Sequence, residues 1–178
     1  MMRVFIAIDI PSDLREILYN LQMRLKKLDL RASFPHKKNY EITLVFLGEK
    51  NEGEIIRIKE NLSKISSIDL HVHLIGLGSF PGTTRINNVW VGVDSLELSR
   101  FVTSMCNLIW FIPDKPFNPH LTLCRIKSQK NIGDVKKFIS KNKNLDIGSF
   151  KVDKIFLKES KLTATGPIYM NLKEIVLN

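Results

Sequence analysis

The sequence predicts a fold that mixes α and β elements in two related lobes, and three observations carry the prediction. Strand and helix periodicities alternate in the order strand, helix, strand, helix, strand, and that order occurs twice. The second strand of each half holds a polar residue, one residue, then threonine and leucine: Glu41-Ile42-Thr43-Leu44, and 79 residues later His120-Leu121-Thr122-Leu123. Neither VFIAIDIPSDL nor VWVGVDSLELS supplies a glycine-rich phosphate loop, so a doubly wound nucleotide fold is not indicated. Duplication of this kind suggests a single domain of two pseudo-repeated lobes, roughly 1–80 and 81–178, facing each other across a pseudo-twofold axis. Strand direction is not legible at this level.

The elements follow in order. VFIAID at 4–9 is a β-branched and aromatic strand stopped by Pro11. Ser12 suits a helix N-cap, and Leu14, Ile17, Leu18, Leu21, Leu25 and Leu28 recur at helical spacing, predicting a helix over 13–28. The loop RASFPHKKN leads to the strand YEITLVFLGE at 40–49. Ile55, Ile56, Leu62 and Ile65 mark a second helix, and LHVHLIGL at 70–77 a third strand. After GSFPGTTR the order restarts: strand INNVWVGV, a helix over 95–111, strand HLTLCRI, a helix over 132–140, strand FKVDKIFLKES and a last strand near 168–176. Trp90 and Trp110 sit inside apolar runs and are read as core. Gly166 and Pro167 fit a turn between the last two strands.

Composition bounds the function classes. The chain has 178 residues with 44% hydrophobic content, enough for one compact core. Twenty-seven Lys and Arg against eighteen Asp and Glu leave a net charge of +9, which favours polyanionic partners but also suits a merely soluble surface. No run approaches the length of a membrane span or secretory signal, so a soluble, cytoplasmic protein without membrane association is expected. Cys106 and Cys124 lack metal-ligand spacing and read as buried apolar groups. His71 and His73 share a strand face, but with no third ligand nearby no metal site is expected.

The chemistry lies in the repeated element. Residues i and i+2 of a strand share a face, so Leu121 and Leu123 point to the core while His120 and Thr122 project from the other side. The same alternation sets Glu41 beside Thr43. If the lobes face each other, four polar side chains converge on one cleft. An imidazole exchanges protons at neutral pH, and threonine hydroxyls donate to non-bridging phosphate oxygens. Two such pairs suit one phosphodiester, with no cofactor required.

On these residues the chain resembles the two-histidine phosphoesterase superfamily, and more closely its RNA 2′,3′-cyclic phosphodiesterase, or 2′-5′ RNA ligase, branch. The resemblance rests on RVFIAIDIP, ITLVFLGE, GLGSFPGTTRINNVWVGV, FNPHLTLCRIK and ESKLTATGPIY, and so spans nearly the whole chain. It implies an α+β bilobal fold of mostly antiparallel sheet with outer helices around a central groove. It implies metal-free opening of terminal 2′,3′-cyclic phosphate to 2′-phosphate and, in some members, ATP-independent joining of tRNA halves. Carried over residue by residue, His120 matches the general base, Thr43 and Thr122 the phosphate-holding threonines, and Arg125 an arginine that neutralises phosphate charge. Position 41 holds the proton-donor histidine in the family and glutamate here.

An ordinary glutamate near 4.3 is ionised at pH 7, and lifting it to 7 takes a rise of about 2.7 units through burial or a neighbouring phosphate. His36 lies an odd offset from position 41 and is read as a rim residue. Arg85, Phe80 and Lys37 are further substrate-binding candidates, with Phe34 beside Phe80 as a loop aromatic suited to base stacking. The expected partners are RNA 3′ ends bearing 2′,3′-cyclic phosphate, tRNA halves among them, acting on a monomer. Two other readings stay open at this level: a noncatalytic RNA-end-binding module, and a phosphodiesterase on small cyclic nucleotides.

Overall fold

The computed structural model describes residues 1–164 and 166–177. Along the chain run β1 (Met2–Asp9), α1 (Ser12–Lys26), β2 (Ala32–Ser33), a 3-10 turn (Lys37–Asn39), β3 (Glu41–Lys50), α2 (Glu52–Leu62) and β4 (His71–Pro81). There follow β5 (Ile86–Asp94), α3 (Leu96–Leu108), β6 (His120–Ile126), α4 (Ile132–Lys141), β7 (Asp146–Lys151), β8 (Lys154–Thr163) and β9 (Gly166–Val176). The strands form two sheets, in the orders β3-β1-β8-β9 and β2-β6-β5-β4-β7. Every pairing within them is antiparallel. The α+β class and the antiparallel sheets expected from the resemblance are therefore present.

Neither sheet is confined to one side of a division near residue 80. β8 and β9 return to extend the sheet begun by β1 and β3, while β4 joins the sheet built from the later strands. The stretch FKVDKIFLKES, expected as one strand, is two. Its first residues belong to β7 and its last to β8, in different sheets. The chain crosses between the sheets at Val152 and Asp153, where the Val152 N–H donates to Leu70 and the Asp153 carbonyl accepts from Leu177. The apolar period slips at the crossing, since Val152 is followed by Asp153 and Lys154 before Ile155, and reading the stretch as one strand passes over that slip.

The core lies on one face of each sheet. Val4, Ile6 and Ile8 of β1, Ile42, Leu44 and Val45 of β3, and Leu121, Leu123 and Cys124 of β6 are buried there with Leu14, Leu18, Leu21 and Leu25 of α1. Leu14, Leu18, Leu21 and Leu25 form the expected α1 stripe, but Ile17 is 45% exposed and Leu28 lies beyond the helix end; Ser12 is the first helical residue, and no side chain caps the helix. α2 is closed at its start by a capping box between Asn51 and Glu54 and ends at Leu62, so Ile65 packs from the loop beyond it. Trp110 corrects the core expectation. It follows the α3 C-cap at φ +57 and is 90% exposed, because the helix ends before the apolar run does. Among the described residues no helix is long and apolar enough to cross a membrane.

Candidate active site

The face of each sheet away from the core carries the polar residues of the repeated element. Alternation along β1 sends Val4, Ile6 and Ile8 inward, which leaves Arg3, Phe5, Ala7 and Asp9 on the other side. Asp9 is the register partner of Glu41, and Ala7 that of Thr43. On the second sheet His120 pairs with Gly92, and Thr122 with Trp90. The two sheets approach through β3 and β6, with Cα atoms within 8 Å. A cleft of about 780 Å³ opens there, and Glu41, Thr43, His120, Thr122 and Arg125 all line it.

Both motif strands break their alternation at the same step. On β3 the partner of Ile6 is Val45 and that of Ala7 is Thr43, so Leu44 is an extra residue. On β6 the partner of Val89 is Cys124 and that of Trp90 is Thr122, so Leu123 is extra, 79 positions after Leu44. Each is a β-bulge, and two consecutive residues turn to the core: Leu44 with Val45, and Leu123 with Cys124. The strand then resumes with its phase inverted. Arg125, an odd offset from His120, would face the core in a regular strand; the bulge returns it to the cleft. Phe46, 79 residues earlier, is delivered to the cleft in the same way, beside Phe5 at 5.8 Å between ring centroids. Gln22 of α1, 1% exposed, secures the β6 bulge by donating to the Leu123 carbonyl at 3.0 Å and to the Pro35 carbonyl at 3.0 Å.

His120 is held from two sides. Its Nδ1 lies 2.8 Å from the Asn118 carbonyl, which can only accept. Nδ1 therefore carries the proton, and Nε2 keeps its lone pair. Phe80 meets the imidazole edge to face at 5.0 Å, and Trp90 lies at 6.4 Å from it. Trp90 is thus half-buried on the cleft face of its sheet rather than in the core. It lies flat across Gly78, its register partner, where an added Cβ would sit 2.2 Å from the ring.

Glu41 sits in a different environment. Its side chain is 7% exposed, and Oε2 accepts from Lys158 Nζ at 3.0 Å. The same ammonium, 5% exposed, donates to Asp9 Oδ1 at 2.5 Å. Burial pushes the Glu41 carboxyl from an ordinary 4.5 up to about 7, against the pull of Lys158 and with a push from Asp9. The rise needed for neutral-pH proton donation is present without any bound phosphate.

The remaining sequence candidates divide. Phe34, His36 and Lys38 line the cleft, whereas Lys37 pairs with Glu16 and lies 5.5 Å over the Tyr19 ring of α1. Phe80 reaches the site through His120. Arg85 is exposed in the β4–β5 connection and is not among the cleft-lining residues. His73 pairs with Asp146 at 2.9 Å on the β4–β7 pair, and no cluster of three metal-ligating side chains occurs among the described residues. Gly166 and Pro167, expected in a turn, belong instead to β9: Gly166 opens the strand and is paired with Thr163, and Pro167 is paired with Leu162. Within ESKLTATGPIY, Thr165 lies outside the described residues. Pro167 accepts from Asn39 Nδ2 at 3.0 Å and joins the β9 hairpin to the loop before β3.

Sequence reasoning missed Asp9, Phe46, Trp90 and Lys158. Phe46 and Trp90 could have been found only by anticipating bulges and register. Lys158 had no signal, since a lysine on a late strand reads as solvated.

Known proteins resemble the chain along most of its length. The family model described as LigT like Phosphoesterase matches residues 8–90 and 98–169. A Methanocaldococcus jannaschii protein named RNA 2′,3′-cyclic phosphodiesterase is 33% identical over 181 residues, covering 97% of this chain and 99% of its own. An Aeropyrum pernix protein of the same name is 38% identical over 148 residues, covering 78% and 82%. Among solved structures, a Thermus thermophilus protein superposes with a TM-score of 0.79 at 24% identity, covering 99% of this chain and 98% of that one. Escherichia coli LigT complexed with 3′-AMP superposes with a TM-score of 0.75 at 21% identity, covering the same shares.

Proposed function

Because the chain belongs to the LigT-like phosphoesterase family, we propose that it is a metal-independent RNA 2′,3′-cyclic phosphodiesterase that leaves a 2′-phosphate. The observation carrying this reading is the pair of bulged strands, β3 and β6, that line one cleft with Glu41, Thr43, His120 and Thr122. Relatives at 33% and 38% identity bear that enzyme name.

In the proposed mechanism Thr43 and Thr122 donate to the non-bridging oxygens of the cyclic phosphate, and Arg125 offsets its charge. His120 Nε2 takes a proton from water as the water oxygen bonds to phosphorus. The bond from phosphorus to the 3′ oxygen breaks, and Glu41 delivers a proton to that oxygen. The products are a 3′-hydroxyl and a 2′-phosphate, with the proton lost by water held on His120. A titration value of about 7 leaves roughly half the Glu41 carboxyls protonated at neutral pH, enough to serve as the acid. A 5′-hydroxyl attacking in place of water would give a 2′-5′ bond, so joining of tRNA halves needs no different geometry. The RNA strand is read as leaving the phosphate over Phe46, Phe34 and Lys38.

Incubation with an oligonucleotide ending in 2′,3′-cyclic phosphate, resolved by gel mobility, tests the reading. Cleavage to the 2′-phosphate is expected, with a loss of roughly 10²- to 10⁴-fold in His120→Ala. An intact cyclic end after prolonged incubation with wild-type protein refutes the enzymatic assignment and leaves RNA-end binding.

A further inference from the structure

Glu41 faces a buried cluster that includes one cation and two carboxylates. Lys158 of β8 reaches both Asp9 of β1 and Glu41 of β3, and its own side chain is 5% exposed. One positive charge cannot balance two negative ones away from water. With Glu41 protonated the cluster is neutral; with both carboxyls ionised it carries a net negative charge, which a buried site disfavours. Asp9 and Glu41 are not equivalent competitors for the proton. Asp9 is the nearer to the ammonium, at 2.5 against 3.0 Å, and its side chain is 28% exposed against 7% for Glu41. Both differences place the cost of ionisation on Glu41.

We infer that Asp9 and Lys158 are positioning residues with divided roles: Asp9 keeps the dissociable proton of this cluster on Glu41, and Lys158 tempers that hold while keeping the carboxyl aimed into the cleft. The inference rests on Glu41 acting as the acid of the proposed reaction. Lys158 grips one carboxyl oxygen, Oε2, and leaves Oε1 for the departing oxygen of substrate. The other charged or titratable groups facing Glu41 are Arg15 of α1, which donates to the Ile10 carbonyl at 2.6 Å, and Tyr169 of β9. Across the cleft stand His120 and Arg125 of β6. Asp9 and Lys158 act with opposite signs. The carboxylate holds the proton on Glu41, and the ammonium draws it off.

The test is the pH profile of kcat on the cyclic-phosphate oligonucleotide for wild type, Asp9→Asn, Lys158→Met and Glu41→Gln. The alkaline limb is expected to move down by about one pH unit in Asp9→Asn and up by about one in Lys158→Met, roughly tenfold each in proton concentration. Limbs that stay in place, or that move in the same direction in both variants, overturn the inference. Carbon-13 NMR titration of the Glu41 carboxyl in each full-length variant reads the same shifts, and Asp9→Asn alone decides if Lys158→Met does not fold. Glu41→Gln separates the two failures. If it retains wild-type activity and pH profile, the acid assignment itself is wrong; if it is inactive while the limbs of the other two stay fixed, only the positioning role is wrong.

Discussion

Replacing Glu41 with glutamine should change how stability depends on pH, and the structure supplies the size. In the folded chain the carboxyl titrates at about 7 rather than at an ordinary 4.5, because burial penalises its charged form. Its folded value is raised, so the folded state binds the proton more tightly. The stabilisation is fully present below pH 4.5 and is lost as pH rises through 7. A rise of about 2.5 at about 1.4 kcal/mol per pH unit amounts to about 3 kcal/mol. Glutamine keeps the shape and does not titrate. The stability of Glu41→Gln relative to wild type should therefore grow by about 3 kcal/mol between pH 4 and pH 8. Urea unfolding of both proteins at half-unit pH steps, at fixed ionic strength, measures the difference, and most other groups cancel. Parallel stability curves for the two proteins would refute the reasoning, since they would mean that Glu41 titrates alike in the folded and unfolded chain.

Two further outcomes follow from the packing around the site. Gln22→Leu removes the donor that holds the β6 bulge at Leu123, leaving a buried carbonyl without that partner; a loss of about 1–3 kcal/mol in denaturant unfolding is expected. Because the bulge aims Arg125, KM for the oligonucleotide should rise more than kcat falls, and an unchanged KM would detach the bulge from substrate binding. Gly78→Ala places a methyl 2.2 Å from the Trp90 ring, which cannot withdraw without disturbing Phe80 and His120. Overpacking of this kind costs about 1–3 kcal/mol. A drop in kcat together with altered tryptophan fluorescence is expected, and wild-type values of both would show that the ring has room to move.

Much of the site was legible because strand alternation is local. His120 and Thr122 project together wherever Leu121 and Leu123 are buried, and the repeat at Glu41 and Thr43 states the same rule a second time. Arg125 was found only through the resemblance, because regular alternation sends it to the core and the bulge reverses that. Lys37 was chosen over Lys38 because neighbouring lysines are equivalent until a helix offers one of them Glu16 and Tyr19. Trp110 read as core because an apolar run does not show where its helix ends.

The sequence by itself determined most of the element order, the duplicated motif and the family, and it showed glutamate at position 41 where the second copy of the motif has histidine. These depend on residue identity and short-range periodicity. The tertiary structure decided the surroundings of that glutamate. Glu41 is an ordinary acid in a peptide, and it becomes one that can hold a proton at neutral pH when the sheets exclude water and β1 brings Asp9 beside it, against the pull of Lys158 on β8. Those residues lie 32 positions before it and 117 after it. Solvation and charge pairing act through space, and no local pattern in the chain records distances of that kind.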